Sequence, residues 1–473
     1  MLTPEDLEAA LQISSSSLGK EIVFWGVSID SRTLNRGDVF FAIQGPRFDG
    51  HCFLNEARER GAAAFVVNAS AVQDLDLTAY RNIFPVFDTT QALGRVANYC
   101  RNKRPLCSIG VTGSAGKTTT REFCALLLSK QFSVHATSGN LNNQFGLPLT
   151  VSRLEDAHQI LLSEMGANHA GEIEYLCSIA EPDIGIITNI YPAHLEGFGS
   201  LEKICEAKLE LAAAVEKRNG TLIVNGDQEM LVSRAKKFKV RLVTFGRKPG
   251  NDFRVTDITR KNGSICFQVN QRYFFEIATQ ALFNADNFSA AMALAVEMKI
   301  PFEKIREASR EFRPVTGRFE IRSLGNGIRV VYDAYNANPG AVLRSLESFA
   351  ELRNGKRRMI AVLGDMKELG PESAELHREV GRSLDRFRLD ALVVVGKEAE
   401  AFAQGAREKN ACGEICHFPS NGEVSAFLSS FVKEGDMIFL KGSRSMKLEE
   451  VMNGLEKRFS EGSSKEGTGQ KAI

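Results

Sequence analysis

Apolar residues along this 473-residue chain fall in short runs closed by polar or Gly-rich segments, with helix-like stretches between them. This is the pattern of buried parallel strands alternating with helices. Near the N-terminus, 38–43 and 63–67 read as strands. Thr3-Pro4-Glu5-Asp6 reads as a helix start, with a capping Thr, Pro in the first turn and acids against the dipole. Ala57 to Gly61 closes a second helix, and the basic stretch 101–105, ending in Pro105, reads as a linker. From Leu106 to about Arg313, runs at 107–111, 160–163, 184–188 and 222–225 alternate with helices, while 253–278 reads as antiparallel strands turned at Asn262-Gly263. Beyond Pro314, runs at 329–332, 359–363, 391–395 and 437–440 repeat the alternation. The fold expected is α/β in three domains, 1–104, 105–313 and 314–459. The central sheet is expected to be mostly parallel and the last domain doubly wound. The Gly/Ser-rich stretch 460–473 reads as a disordered tail.

Polar residues stand at the C-terminal ends of several runs, the edge where open parallel sheets bind ligands. Gly113 to Thr119, Glu164 and Asn189 do so in the central unit, and Asp333, Gly364-Asp365 and Lys441 to Arg444 in the last. Gly113-Ser114-Ala115-Gly116-Lys117-Thr118-Thr119 follows an apolar strand and opens a helix, expected from Glu122 to Lys130. This is the layout of a phosphate-binding loop: glycines admit backbone N–H groups to phosphate, Lys117 adds charge, and the Thr118 hydroxyl suits Mg²⁺. Val111 stands where the common pattern has its first glycine, flanked by Gly110 and Gly113.

Net charge is +1 with both signs evenly mixed, which gives no footprint for nucleic acid or an anionic membrane. No signal region or membrane-length apolar run occurs. Nine cysteines, an odd number with no Cys-x-x-Cys pair, argue against a disulfide framework and a zinc site, and Cys412, Cys416 and His417 read as ordinary residues. A cytoplasmic enzyme is the expectation.

Other candidates each carry two readings. Glu164 is a Mg²⁺ carboxylate or a capping acid. His194, in a Pro-containing loop, is structural, or a metal or phosphate ligand. Lys208, between acids on a helix, reads as a solvated lysine. Arg318 in Pro314-Val-Thr-Gly-Arg-Phe reaches phosphate across a domain cleft or forms an interdomain salt bridge. Tyr332-Asp-Ala-Tyr-Asn-Ala-Asn-Pro-Gly is a binding loop or a plain Asn-Pro turn.

Taken together, these motifs resemble the Mur ligase family, the ATP-dependent amide-bond ligases of bacterial cell-wall synthesis, from about Ser28 to Met452. Thr112 to Thr118 matches the family's phosphate loop. Glu164, His194 and Lys208 match its metal carboxylate, its histidine and the lysine it carbamylates. The resemblance implies ATP, two Mg²⁺ ions held by Thr118, Glu164, His194 and Lys208, and a carbamylated Lys208. Catalysis would rest on Lys117, Glu164, His194 and Lys208. Asn284-Ala-Asp-Asn287-Phe-Ser-Ala-Ala matches a nucleotide motif, with Phe283 where a His is common. Asn287, Arg318, Asp333 and Asn336 would join the loop residues on the nucleotide.

Within the family, Tyr335-Asn-Ala-Asn-Pro, Leu363-Gly-Asp-Met-Lys-Glu-Leu-Gly with His377, and Lys441-Gly-Ser-Arg-Ser resemble the branch that joins D-alanyl-D-alanine to UDP-N-acetylmuramoyl-tripeptide. The resemblance places the UDP-sugar peptide on the first domain, ATP on the central one and the dipeptide on a Rossmann-like third. Ser31, Arg32, Gly45, Arg47, Phe48, Asp49, His51, Asn140, Asn143, Gln144, Lys441, Ser443 and Arg444 would contact these substrates. It further implies a monomer, with no nucleic acid or membrane partner, and a hinge near Arg313 to Gly317. A folate polyglutamate ligase and a nucleotide-gated binding protein without ligation are the alternatives.

Overall fold

The structure is a computed structural model, and it describes residues 2–13, 23–45, 48–74, 80, 82–355 and 357–460. Three sheets follow one another along the chain. The first is fully parallel, in the order β1 (Val27–Ser28), β2 (Val39–Phe41), β3 (Ala64–Asn68), β4 (Ile83–Val86). Before it, Thr3 caps the helix Pro4–Leu11 in a reciprocal box with Asp6, as the opening residues predict.

The central sheet has nine strands. They are β5 (Cys107–Thr112), β6 (Val134–Ala136), β7 (Ile160–Glu164), β8 (Ile184–Ile187), β9 (Thr221–Asn225), β10 (Arg241–Gly246), β11 (Phe253–Lys261), β12 (Ser264–Val269) and β13 (Tyr273–Ile277). Their order is β13-β12-β11-β10-β9-β8-β5-β7-β6. Pairing is parallel from β6 to β11 and antiparallel across β11, β12 and β13, with Asn262 and Gly263 both left-handed at the expected turn. Strand β5 lies between β7 and β8, so the chain leaves it toward one side and returns on the other. Its C-terminal end is therefore a switch point with an open crevice.

The third sheet comprises β14 (Glu320–Ser323), β15 (Arg329–Tyr332), β16 (Met359–Gly364), β17 (Leu389–Val395), β18 (Cys412–Phe418) and β19 (Met437–Lys441), in the order β14-β15-β19-β16-β17-β18. Only β14 runs antiparallel, to β15. The ends of β15, β19 and β16 lie side by side and carry Asp333, Lys441 and Asp365 just beyond or at their last residues.

Two differences from the sequence reading have local causes. The helix Thr89–Asn102 runs into the basic stretch read as a linker. Arg101 is buried there and donates to the Ala180 carbonyl at 3.2 Å, so burial and pairing override its polar signature. The helix after the phosphate loop starts at Lys117, five residues before the first residue assigned to it, because Gly116 already caps it. Ser460 ends the helix Glu449–Ser460, and the rest of the predicted tail, 461–473, lies outside the described residues. All nine cysteines are unpaired. No helix among the described residues is long and apolar enough to cross a membrane.

One apolar cluster packs the helix Asn284–Glu297 against the central sheet, with Phe288 in ring contact with Phe123 at 5.5 Å, Phe267 at 5.6 Å and Phe275 at 4.7 Å between centroids. A second cluster is continuous from the central unit into the third sheet, through residues such as Ala281, Phe319, Phe349 and Phe439. Truncating Phe288 removes a fully buried ring from the first cluster. Phe288→Ala is expected to cost about 3–5 kcal/mol in urea unfolding; a loss below about 1 kcal/mol would mean that this cluster does not anchor the helix.

Candidate active site

The turn after β5 is held from the neighbouring strand end. Asn189 uses its amide twice on Ala115, accepting from the backbone N–H at 2.8 Å and donating to the carbonyl at 2.9 Å. The Thr188 hydroxyl donates to the same carbonyl at 2.6 Å, and the Ser114 hydroxyl donates to Tyr191 O and accepts from Tyr191 N–H. Gly113 has φ +143°, and a Cβ there would stand 2.0 Å from the Thr188 hydroxyl. Gly116 has φ +80°, with Asn287 Oδ1 2.7 Å from where its Cβ would be. Both must be glycine for the loop to close this tightly. Lys117 folds back onto Gly113 O at 2.7 Å. Burial, with Arg318 nearby, holds its ammonium below the ordinary lysine range.

Glu164, the last residue of β7, is buried beside this loop. Its Oε1 accepts from the Thr118 hydroxyl at 3.2 Å and from Asn142 Nδ2 at 2.8 Å. Its Oε2 accepts no hydrogen bond among the described residues and faces the Arg121 guanidinium at 3.4 Å. Arg318 reaches over from the third domain. It donates to the Thr118 hydroxyl at 2.8 Å while its guanidinium lies 4.2 Å from the Tyr335 ring centroid.

Lys208 lies on the helix Leu201–Lys217 but is 2 % exposed, so it is not the solvated lysine that its flanking acids alone suggest, a reading the family resemblance also sets aside. Its apolar neighbours on that helix turn it inward, under the Phe198 ring at 5.2 Å, with Ala167 O the nearest acceptor at 3.4 Å. Burial and the Lys117 charge push its pKa down to about 7. His194 sits at φ +53° ahead of the short helix Leu195–Phe198, and its Nδ1 pairs with Glu368 of the third domain. Burial lowers its pKa, against the opposing pull of Glu368.

The phosphate loop, Asn142, Glu164, Asn189, His194, Lys208, Arg318 and Tyr335 line one cavity of about 430 Å³ between the central and third domains, together with Asn143, Gln144, Asn287, Asp333, Asn336 and Arg344. A second charged cluster adjoins it through Arg344: Asp286 pairs with Arg247 at 2.9 Å and with Arg344 across the domain boundary. Burial opposes the Arg344 charge, but Asp286 and Tyr191 hold it above the ordinary arginine range.

Three family models match in chain order: the Mur ligase family catalytic domain over 24–101, the Mur ligase middle domain over 111–295, and the Mur ligase glutamate ligase domain over 317–444. A UDP-N-acetylmuramoyl-tripeptide–D-alanyl-D-alanine ligase of Bacillus subtilis is 32% identical over 438 residues, 92% of this chain and 94% of its own. The chain belongs to the Mur ligase family. An Escherichia coli Mur ligase with the same name is 32% identical over 93% of this chain and 95% of its own. Among solved structures, MurF from Acinetobacter baumannii superposes with a TM-score of 0.85 at 30% identity, covering 96% of this chain and 99% of that one. MurF from Thermotoga maritima in complex with ADP gives 0.81 at 29% identity, covering 94% and 100%. A folylpolyglutamate synthase of Mycobacterium tuberculosis, at 15% identity and a TM-score of 0.58, shares the fold alone.

The geometry of this Mur ligase sorts the residues expected from its sequence. Gly113 to Thr119, Glu164, His194, Lys208, Asn287, Arg318, Asp333 and Asn336 meet in the cavity, and Asn143, Gln144 and Lys441 also line it. Lys441, however, is spent on the frame: its ammonium bonds Asp333 Oδ2 at 2.6 Å, Asp333 O at 3.2 Å and Asn336 O at 3.1 Å. Asp333 in turn accepts from Phe319 N and Ser345 Oγ. Ser443 is buried and takes Lys367 N–H, while Arg444 pairs with Glu449 outside the cavity; Asn140 is exposed outside it as well.

In the first domain, His51 is buried with both ring nitrogens engaged, Nδ1 with Asp49 at 2.5 Å and Nε2 accepting from Asn68 N–H at 2.9 Å. Ser31 donates to Glu56, Arg32 forks onto Asp30, Gly45 N–H closes a turn on Phe48 O, and the Phe48 ring is exposed. Arg47 lies outside the described residues. Asn142, Arg121 and Arg344 escaped the sequence reading, and Glu368 entered it only as a member of the Leu363 to Gly370 motif with no role of its own, because the partner of each is remote in sequence. Gly113→Ala is expected to displace Thr188 and weaken binding of a nucleoside triphosphate at least about tenfold by calorimetry; unchanged affinity would mean the loop tolerates a side chain.

Proposed function

We propose that this Mur ligase joins D-alanyl-D-alanine to UDP-N-acetylmuramoyl-tripeptide with cleavage of ATP to ADP and phosphate. The product is the UDP-muramoyl-pentapeptide of peptidoglycan synthesis. The observation that carries the reading is the meeting of a phosphate loop, a buried carboxylate, a buried lysine and an arginine from the opposite domain in one cavity. A carboxylate is a poor electrophile, because its charge is delocalised and oxide is a bad leaving group. Phosphorylation by ATP makes an acyl phosphate, which the dipeptide amine attacks with loss of phosphate.

The first step brings two anions together, and the second, attack by a neutral amine, builds negative charge on the tetrahedral oxygen and the departing phosphate, so charge neutralisation dominates the chemistry. Lys117 and Arg318 face the phosphate position from two domains, and Arg318 stacks on Tyr335, which keeps its fork aimed at the loop. Thr118 and Glu164, oxygen donors 3.2 Å apart, fit a hard divalent cation such as Mg²⁺. When bound, that ion would add positive charge at the transferred phosphoryl group. His194 and Lys208 are our candidates for a second ion. Lys208 fits this role only as a carbamate, and burial that leaves its amine largely neutral above pH 7 supplies the nucleophilic form that reacts with CO₂. Asn287 and Asn336, which line the cavity, are our candidates for the nucleotide, and the exposed edge of the first sheet, with Arg32 and Phe48, is our candidate for the UDP group. ATP and a UDP-linked substrate together set the reaction in the cytoplasm.

Phosphate release from MgATP is expected to require both UDP-muramoyl-tripeptide and D-alanyl-D-alanine, with a pentapeptide product by mass. Release independent of the dipeptide would sink the reading. Lys208→Ala is expected to abolish ligation, with partial rescue by short carboxylic acids. Full activity in that variant would remove the carbamate from the mechanism.

A further inference from the structure

The motif Leu363 to Gly370 forms an arm whose tip is Glu368. Each residue behind the tip is pinned. Asp365 accepts from Ala399 N–H at 2.7 Å, and Met366 N–H donates to His377 Nε2 at 2.9 Å. Lys367 N–H donates to Ser443 Oγ at 2.8 Å, and its ammonium bridges Asp365 at 2.7 Å and Glu398 at 3.0 Å. His377 is itself fixed, with Nδ1 against Ser373 O at 2.7 Å. Glu368 then adopts φ +65°, a left-handed backbone that a non-glycine residue takes only when its surroundings impose it.

The arm grips the His194 turn twice. The Glu368 carboxylate pairs with His194 Nδ1, and the Glu368 carbonyl accepts from Glu196 N–H at 3.1 Å. Gly370 backs this contact, 3.3 Å from the Glu196 Cα at its Cβ position. A carboxylate can only accept from a neutral imidazole, so the proton belongs on Nδ1 and the lone pair on Nε2. Carboxylate partners of this kind fix the tautomer and ring plane of histidines that ligate metals or phosphate.

We infer that Glu368 is a positioning residue for His194, acting across the domain boundary to hold the Nδ1–H tautomer with Nε2 free for ligand. The inference rests on the ligase reading for what His194 does, and on geometry alone for the pairing. It assigns a shared purpose to Asp365, His377, Ser443 and Lys367: they build the arm rather than touch substrate. It also means that His194 is oriented only while the third domain is docked.

The test uses the full-length protein with histidine-selective ¹⁵N labelling at pH 8, without nucleotide, the His194 signals being those absent from His194→Gln. Two-bond ¹H–¹⁵N spectra are expected to show the Nδ1–H tautomer in the native protein and in Glu368→Gln, whose amide oxygen still accepts. In Glu368→Ala a mixed or Nε2–H pattern is expected. In the ligation assay, Glu368→Ala is expected to lower kcat by about 10–100-fold with little change in KM, and Glu368→Gln to recover much of that loss. An Nε2–H tautomer in the native protein, or an unchanged one in Glu368→Ala, would overturn the inference. So would equal loss in both variants, the mark of a simple domain contact. A native protein that shows the Nδ1–H tautomer but makes no pentapeptide would count against the ligase reading and leave the pairing intact.

Discussion

The constraint on which the rest of this structure depends is an excess of buried positive charge at one crevice. Lys117, Lys208 and Arg318 converge on a cavity whose carboxylate beside the phosphate loop is Glu164, and Arg121 already faces that carboxylate. Asp286 and Asp333 are committed to Arg247, Arg344 and Lys441. Desolvated cations without a carboxylate partner are costly, and the molecule relieves the cost by lowering the pKa of Lys117 and Lys208. The remainder is relieved only by anions. A site built this way holds itself ready for phosphates and carboxylates, and disfavours neutral occupants.

The charge sits where it does because of topology. Strand β5 is the point at which the central sheet reverses its winding, so its C-terminal turn opens into a crevice between β7 and β8. Glu164 ends one neighbour, and Asn189 and His194 follow the other. The third sheet repeats the arrangement with Asp333 and Lys441 at adjacent strand ends. Facing two such edges makes one chamber from two open ones, with the Arg318–Thr118 hydrogen bond as a direct link between them.

What could be read in the sequence was what local spacing encodes. The phosphate loop, the strand runs, the Thr3 cap and the Asn262-Gly263 turn each depend on residues within a few positions of one another. Roles that depend on remote partners were not legible. Lys208 looked solvated because its flanking acids are visible and the Phe198 ring above it is not. Lys441 looked like a ligand-binding cation, yet its three donors are taken by a loop more than a hundred residues earlier. His51 had the composition of a site residue but serves as a strut between Asp49 and Asn68. Resemblance to a family identified the motif around His377 without saying that its work is mechanical.

The two charged links across the cavity, Asp286 to Arg344 and His194 to Glu368, each draw one member from either domain. This bears on how such a protein changes over evolutionary time. A recombination event that exchanged the third domain with that of a relative would carry over half of each link and leave its other half behind. The two domains are therefore bound to one another in descent, and their drift is joint wherever the crevice is concerned.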